Sequence, residues 1–231
     1  MYFHLRDHIY AAQFKDDFIV LDTKKDKYII CSEKFSQILL SLSESREIYN
    51  QAALSIHNSL YNIIETKQTP YPFYIDRNLN SNGVENLDWN LPTSEISFSM
   101  DVAKALKTLL KVKVYMKFMG LYATIQLIKN SKSTKVEYKI PSLEDLTKLS
   151  NIVSQAYFIS PVKIRCLEWC TTFVLMALKR KWKCNIEVGV QNHPFISHAW
   201  VECGDTVVMD DKNLRKKLAI ILNEPFKKLK K

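Results

Sequence analysis

The first third of the chain alternates short apolar runs with charged turns, a pattern typical of a small antiparallel sheet. Three β-prone runs cover residues 10–14, 18–22 and 27–31. After Ser32 the period becomes helical, with one apolar face made by Phe35, Ile38, Leu39 and Leu42 and a second by Ala53, Ile56, Leu60, Ile63 and Ile64. Three strands followed by helices predict a winged-helix-like module over residues 1–80.

The second half of the chain reverses this order, with helices before strands. Residues 76–99 are rich in Asn and Ser, and we assign 81–99 as a linker. Helical patterning runs over 100–128 and 142–157, and a further helix opens at Cys166. A strand over 186–190 and a β-hairpin over 196–210 follow. The pattern predicts a second domain over residues 100–231 and an α+β fold for the chain.

Two polar residues interrupt the apolar alternation of the hairpin. His198 lies on the first arm, and the acidic pair Asp210 and Asp211 lies at the end of the second. A half-buried strand needs neither type of side chain for its own stability. A three-residue loop over 203–205 would pair His198 with Asp210, whereas a two-residue turn would set Asp211 opposite it. The hairpin pattern leaves both acids as candidates.

Composition places the chain among ordinary globular proteins, with 47% hydrophobic and 25% charged residues. The first ten residues contain no apolar segment of a secretory signal, and no apolar run approaches the roughly 20 residues of a membrane span. Five cysteines, an odd number without a framework spacing, favour a reducing cytoplasm over a disulfide scaffold. We therefore expect a cytoplasmic protein with no membrane partner.

A net charge of +9 raises the alternative of a winged-helix nucleic-acid-binding protein. Much of the excess lies in residues 179–183 and 226–231, where basic side chains are usually solvated. A recognition helix would lie between Glu33 and Glu65, yet the cations in that segment are only Lys34 and Arg46, against four glutamates. The sequence thus favours a function without a nucleic-acid partner.

Glycine content and cysteine spacing argue against the common cofactors. The four glycines, at positions 83, 120, 189 and 204, cannot form a dinucleotide-binding or P-loop motif. Cys166 and Cys170, with His193 and His198, have spacings that superficially suit zinc. A long amphipathic helix and a strand separate the two pairs, which is unlike a zinc finger. We expect neither a cofactor nor a metal.

A stronger constellation is a cysteine at a helix start, followed by a strand histidine and a hairpin acid. At the first turn of a helix, unsatisfied N–H groups and the helix dipole favour the thiolate of Cys166. A thiolate is a nucleophile, a histidine can hold its proton, and an acid can orient the imidazole. Cys170 lies one turn deeper, where the dipole effect has faded, and Cys184 is interpreted as a core residue.

The motif Cys166-Leu167, followed by His198-Ala199-Trp200-Val201-Glu202 and Asp210, closely resembles the leader peptidases (B proteins) of lasso-peptide biosynthesis. The resemblance implies a transglutaminase-like, papain-related catalytic domain with Cys166, His198 and Asp210 as the triad. The intervals of the family favour Asp210 over Asp211. The backbone N–H of Cys166 and the side chain of Gln155 are candidate oxyanion-hole donors.

The first half is similar, more loosely, to the precursor-recognition domain of that family, so the chain looks like the fused form. The resemblance implies that a precursor's leader adds a strand to the sheet edge formed by Lys27, Tyr28, Ile29, Ile30 and Cys31. Proline at Ile29 should then weaken binding by removing a backbone donor. The implied partners are the precursor peptide and an asparagine-synthetase-like macrolactam synthetase, the lasso cyclase.

A second alternative keeps the triad and changes the chemistry. An acyl-enzyme can pass its acyl group to water or to an amine, so a transglutaminase- or arylamine-acetyltransferase-like acyltransferase could use the same three residues. The residue pattern alone leaves this alternative open.

Overall fold

The computed structural model describes residues 1–44, 46, 47, 61–85, 91 and 99–230. In the first half lie strands β1 (Tyr2–Leu5), β2 (Ile9–Phe14), β3 (Asp17–Asp22), β4 (Lys27–Ile30), β5 (Ile64–Lys67) and β6 (Arg77–Asn78), with helix α1 (Glu33–Ser43). In the second half lie helices α2 (Met100–Ser131), α3 (Leu143–Phe158), α4 (Cys166–Lys179) and α5 (Leu214–Lys217), with strands β7 (Asn185–Gln191), β8 (Ile196–Cys203), β9 (Thr206–Val208) and β10 (Ala219–Glu224).

The N-terminal sheet has the strand order β4-β3-β2-β6 and is buried on both faces. On one face Phe18 and Val20 of β3 pack with Leu39 of α1 in one apolar cluster. On the other face Ile19 and Leu21 join the large core of the second half. Burial on both faces explains why β2 and β3 are apolar at nearly every position. The sheet is therefore a shared wall between α1 and the second half.

The three strands predicted for residues 10–14, 18–22 and 27–31 are confirmed, with ends that differ by one residue. The second apolar stripe behaves differently. Ala53, Ile56 and Leu60 lie outside the described residues. Ile64 is not helical, because it begins β5 and pairs with Leu5 of β1. Its burial is complete in that two-stranded sheet, and a lone apolar pair fits either period. The winged-helix topology stays a prediction.

The second half contains the three helices and the sheet that the patterning predicts, and it adds the short helix α5. Ser99 and Ser142 cap α2 and α3 by accepting the backbone N–H groups of Val102 and Asp145. Gly120 interrupts α2 with a φ of 78°, a conformation that costs glycine little. Helix α4 is almost wholly buried, because α2, α3 and β8 surround it. None of the described helices carries an apolar stretch long enough to cross a bilayer.

The second sheet has the strand order β10-β7-β8-β9 and is antiparallel throughout. A disulfide joins Cys184, just before β7, to Cys203 at the end of β8. Asn185 pairs with Glu202, so the two cysteines lie opposite each other in the register. Cys184 is the core residue that the pattern predicts, but it is not a lone thiol, because it is bonded to Cys203. Counting cysteines does not reveal which strands become neighbours.

Contacts between the two halves continue through the segment that follows the N-terminal module. The carboxylate of Asp76 accepts the N–H of Ile220 in β10, and Ser81 donates to the carbonyl of Lys217. Val84 exchanges two hydrogen bonds with the side chain of Gln191. Residues 76–84 are thus tied to the second half at several points. The domain boundaries at 80 and 99 stay predictions.

Candidate active site

Helix α4 begins at Cys166, and its first turn is held in place by charge. The carboxylate of Glu168 accepts the N–H of Arg165 at 2.7 Å and pairs with Lys113 of α2 at 2.8 Å. Glu168 is 4% exposed, so its carboxylate is shielded from solvent, whereas Lys113 reaches it from the surface with a side chain that is 30% exposed. An acid in the first turn satisfies a backbone donor that would otherwise be unpaired. Cys166 is therefore the first residue of a well-anchored helix.

The first turn of α4 packs against an open stretch of β8. Strand β9 ends at Val208 and pairs only with residues 201–203 of β8, which leaves the edge at Ala199 available. The buried thiol of Cys170 donates to the carbonyl of Ala199 at 3.4 Å. The imidazole of His198 and the backbone of Ala199 also lie close enough to Cys166 to lower the pKa of its thiol. The early end of β9 is what lets the helix start reach the histidine.

Asp210 is the third residue of the candidate site, after Cys166 and His198. Its Oδ2 lies 2.7 Å from Nε2 of His198, which leaves Nδ1 as the nitrogen that faces the thiol. The imidazole is 5% exposed and the carboxylate side chain 13%. A ring of Trp200 stacks on the imidazole, with centroids 6.1 Å apart. Cys166, His198 and Asp210, predicted from the sequence, are brought together in one site.

The hairpin register is the two-residue one, so the three-residue loop that would pair 198 with 210 is wrong. Cys203 pairs with Thr206 around Gly204 and Asp205. By continued alternation that register would set Asp211 opposite His198. The strand instead ends at Val208, and Met209 has a φ of 55°, which turns the chain and brings Asp210 back to the imidazole. The acid contact follows from this turn and not from strand pairing.

Asp211 is engaged elsewhere. Its carboxylate pairs with Lys217 at 2.6 Å and accepts the N–H of Asn213 at 2.9 Å. The Lys217 and Asn213 contacts hold the pKa of Asp211 below its usual range. Its side chain is 38% exposed. Asp211 therefore supports the turn into α5 and leaves His198 to Asp210.

The electrostatics favour a thiolate and an imidazolium. Burial opposes the charged form of Cys166, but the hydrogen bonds from His198 and the neighbouring backbone outweigh it and lower the pKa of the thiol. Burial likewise opposes a charged His198, yet the hydrogen bonds to Asp210 and Cys166 raise its pKa to about 9. Two groups whose pKa values are shifted toward the ion pair suit a nucleophile and its acid–base partner.

Cys170 is chemically the opposite of Cys166. It is fully buried, and burial together with the nearby charges of Cys166 and Asp210 raises the pKa of its thiol. A thiol held neutral is a poor nucleophile. His193 also lies away from the site, next to Asp17 at 4.0 Å. Of the four residues with zinc-like spacing, only Cys166 and His198 face each other. Among the described residues, no three His, Cys, Asp or Glu side chains come together in a way that could hold a metal ion.

Gly189 is a site residue that the sequence reasoning missed. It lies on β7 opposite His198, and a Cβ at this position would come within 2.7 Å of the Trp200 ring. A larger residue would displace Trp200, which stacks on the imidazole. A glycine inside an apolar strand is the signal that could have revealed this close approach.

Strand β4 carries four of the five residues expected to bind a peptide, and Cys31 follows directly. It is the edge strand of its sheet. Cys31 donates its N–H to Phe18 of β3, so by alternation the N–H groups of Ile29 and Lys27 also face β3, and those of Tyr28 and Ile30 face outward. The donor that proline at Ile29 would remove therefore belongs to the ladder with β3, and the effect of that substitution on peptide binding stays a prediction. The outward donors belong to the two neighbours of Ile29.

Tyr28 links the strand that is expected to bind a peptide, β4, to the strand that carries the candidate catalytic histidine, β8. Its hydroxyl lies 2.6 Å from the hydroxyl of Ser197, the residue before His198. Gln155, the other oxyanion candidate, lies near the end of α3, where its carbonyl accepts the N–H of Ile159, and its role stays a prediction. The two predicted sites thus adjoin each other, which no spacing along the chain indicated.

Comparison with known proteins agrees with this geometry. A family model described as the transglutaminase-like superfamily matches residues 108–223, a segment that contains Cys166, His198 and Asp210. The chain is also similar to the microcin J25-processing protein McjB of Escherichia coli, with 28% identity over 127 residues. That alignment covers 50% of this chain and 61% of McjB, so the chain spans about three fifths of the length of that relative. No solved structure matches the chain significantly.

Proposed function

Since the chain belongs to the transglutaminase-like superfamily, we propose that it is a cysteine peptidase that removes the leader of a ribosomally made precursor during lasso-peptide maturation. The row formed by Cys166, His198 and Asp210 carries the proposal, because it joins a thiol of lowered pKa to an oriented imidazole. Similarity to a microcin-processing protein supports a precursor peptide as the substrate.

The proposed reaction has two steps. The Cys166 thiolate attacks the scissile carbonyl, and the N–H of Cys166 at the helix start donates to the oxyanion. His198 gives its proton to the leaving amine, which frees the core peptide and leaves a thioester of the leader. Water then attacks the thioester carbonyl while His198 takes its proton, and the C–S bond breaks to return the Cys166 thiolate beside the imidazolium. The products are a leader with a free carboxylate and a core peptide with a free N-terminus, which an asparagine-synthetase-like partner would join to an Asp or Glu side chain.

The proposal is tested by identifying the products that the purified chain forms from a candidate lasso precursor peptide. Hydrolysis at a single bond predicts two fragments whose masses sum to the precursor plus one water, measured by mass spectrometry. An acyltransferase would instead yield a leader adduct when a primary amine such as cadaverine is added in excess. A dominant amine adduct would replace the peptidase by the acyltransferase alternative, and an unchanged precursor would contradict both.

The pH dependence of cleavage follows from the two shifted groups. The active form is the thiolate with the imidazolium, so kcat/KM should rise with pH as Cys166 loses its proton, below the usual range of a cysteine. It should fall again near pH 9, where His198 loses its proton. Alkylation by iodoacetamide needs only the thiolate. The alkylation rate should therefore rise with pH as kcat/KM does, but it should not fall again near pH 9. A kcat/KM that keeps rising beyond pH 10 would contradict the ion pair.

For the leader, we propose that it adds a strand to the outer edge of β4. Ile29 and Ile30 are 38% and 48% exposed, and Tyr28 and Ile30 turn their N–H groups outward. Main-chain hydrogen bonds to such an edge supply affinity for an extended peptide. The pairing would leave the ladder between β3 and β4 intact.

Proline substitution separates the two backbone edges of β4. Ile30→Pro removes an outward donor at an edge position that tolerates proline, and we expect roughly tenfold weaker leader binding with the fold retained. Ile30→Ala keeps the donor and serves as the control. Ile29→Pro removes a donor to β3, so it should also lower the thermal stability. The measurements are isothermal titration of leader peptide and thermal unfolding; equal affinity of Ile30→Pro and Ile30→Ala would contradict binding at this edge.

A further inference from the structure

An aromatic contact spans the short gap between β4 and the catalytic strand. The ring of Tyr28 lies 5.1 Å from the ring of Phe195, at a tilt of 60°. Its hydroxyl bonds to Ser197 at 2.6 Å, so the polar end of Tyr28 is satisfied and the ring is held in one orientation. Phe195 and Ser197 flank the start of β8, directly before His198. The peptide edge and the catalytic histidine are therefore joined through side chains.

The same place leaves apolar surface exposed. Phe195 is 46% exposed although it contacts Tyr28. Ile30 follows Tyr28 by two positions, so it lies on the same face of β4, and it is 48% exposed. That face is turned toward the second half, because the residues opposite, Ile19 and Leu21, belong to its core. Apolar side chains grouped in the open beside a reactive thiol are typical of a surface that binds something.

We propose that Tyr28 and Phe195 form a subsite for one apolar side chain of the precursor, at the point where the extended peptide leaves β4 for Cys166. The inference rests on the proposed function and adds a residue preference to it. Side chains of an extended peptide alternate, so those facing the second half pass along the face that carries Ile30 and Tyr28. The next contact in the direction of His198 is the exposed ring of Phe195.

Continuity favours a peptide as the occupant of this surface. One end of the surface is an edge strand with outward backbone donors, which an extended chain can pair with. The other end is the first turn of α4, where Cys166 lies one helical turn before Cys170, whose thiol contacts the carbonyl of Ala199 next to His198. Tyr28 also lies close enough to Cys166 for a thiolate there to raise the pKa of the phenol, after the larger effect of burial. A peptide bound at the edge needs no other path to reach the nucleophile.

A library of random fifteen-residue peptides displayed on messenger RNA tests the subsite, with cleaved sequences read after exposure to the enzyme. We expect wild-type cleavage to favour large apolar residues at one position on the leader side of the cut. Phe195→Ala should lower that preference by roughly tenfold, since removing apolar contacts from a pocket changes the discrimination between substrates by about that factor. Phe195→Leu, which restores apolar volume, should recover most of it.

Two controls separate the subsite from general damage. Phe118→Ala removes a phenylalanine that is 72% exposed on α2, and its preference should match the wild type. The rate of Cys166 alkylation should be the same in wild type and Phe195→Ala, because neither member of the thiol–imidazole pair is altered.

Three results would overturn the subsite. Cleavage without an apolar preference, or with one that survives Phe195→Ala, refutes the subsite and leaves the proposed peptidase standing. A change of oligomeric state in Phe195→Ala, seen by sedimentation velocity with cleavage preference unchanged, would make the surface a contact between two copies of the chain. Absence of any cleavage of the library by a wild-type enzyme whose Cys166 alkylates normally would refute the subsite as a determinant of cleavage, while the digest of the precursor separately tests the peptidase.

Discussion

Cys166→Ala is expected to abolish leader removal, with a loss on the order of 10⁴-fold or more in single-turnover rate, because it removes the thiolate that is proposed to form the acyl-enzyme. The peptide edge on β4 is untouched, so leader affinity and the unfolding transition should stay close to those of the wild type. Cleavage is measured by chromatography of the precursor, and affinity by isothermal titration.

Cys170→Ala is the matched control for that variant. Cys170 lies one turn along the same helix, fully buried, with a thiol whose pKa is raised by burial. Its loss removes a hydrogen bond to Ala199 and should cost stability, about 1–2 kcal/mol, and only a small part of the rate. If Cys170→Ala stops turnover while Cys166→Ala does not, the nucleophile is wrongly assigned.

Asp210→Asn is expected to lower the cleavage rate by about a hundredfold or more while leaving leader binding largely intact. The carboxylate orients His198 through Nε2 at 2.7 Å and favours its charged form. An amide keeps the shape and loses the charge, so the pKa of His198 should fall. The alkaline limb of kcat/KM should therefore move to lower pH, an effect that simple loss of stability would not produce.

Asp211→Asn tests the choice between the two adjacent acids. Its ion pair with Lys217 is well exposed, and pairs of this kind contribute little to stability. We expect a rate within about threefold of the wild type and an unchanged alkaline limb. A larger loss in Asp211→Asn than in Asp210→Asn would mean that the acid beside His198 in solution is Asp211.

Asp210 and Asp211 show where the alternation of strand residues stops predicting which side chain faces His198. The pattern of the hairpin is regular through Val208, and the register is the short one that turn statistics favour. If the same register is continued three residues past Val208, it places Asp211 opposite His198. The rule fails because Met209 leaves the extended conformation. Family spacing favoured Asp210, although the three-residue loop offered as its structural reason is wrong.

The periodic elements follow from the sequence, because their signals are local. Apolar repeats gave the starts of α2 and α3 to within one residue, since the period of a helix depends only on neighbouring residues. The start of α4 at Cys166 and the position of His198 on a strand also follow from local signals in the sequence. The family resemblance added the catalytic assignment, which helical and strand periods do not contain.

Contacts between residues far apart in the chain were decided only by the tertiary structure. Tyr28 meets Ser197 across 169 positions, and Cys184 meets Cys203 because two strands pair in one register. Ile64 joins β1 as a strand although its neighbours fit a helical period. The outward donors of β4 depend on which edge β3 occupies. Each of these contacts is selected by packing over the whole core, since it is the burial of both faces of a sheet, and not any local propensity, that determines which strands become neighbours.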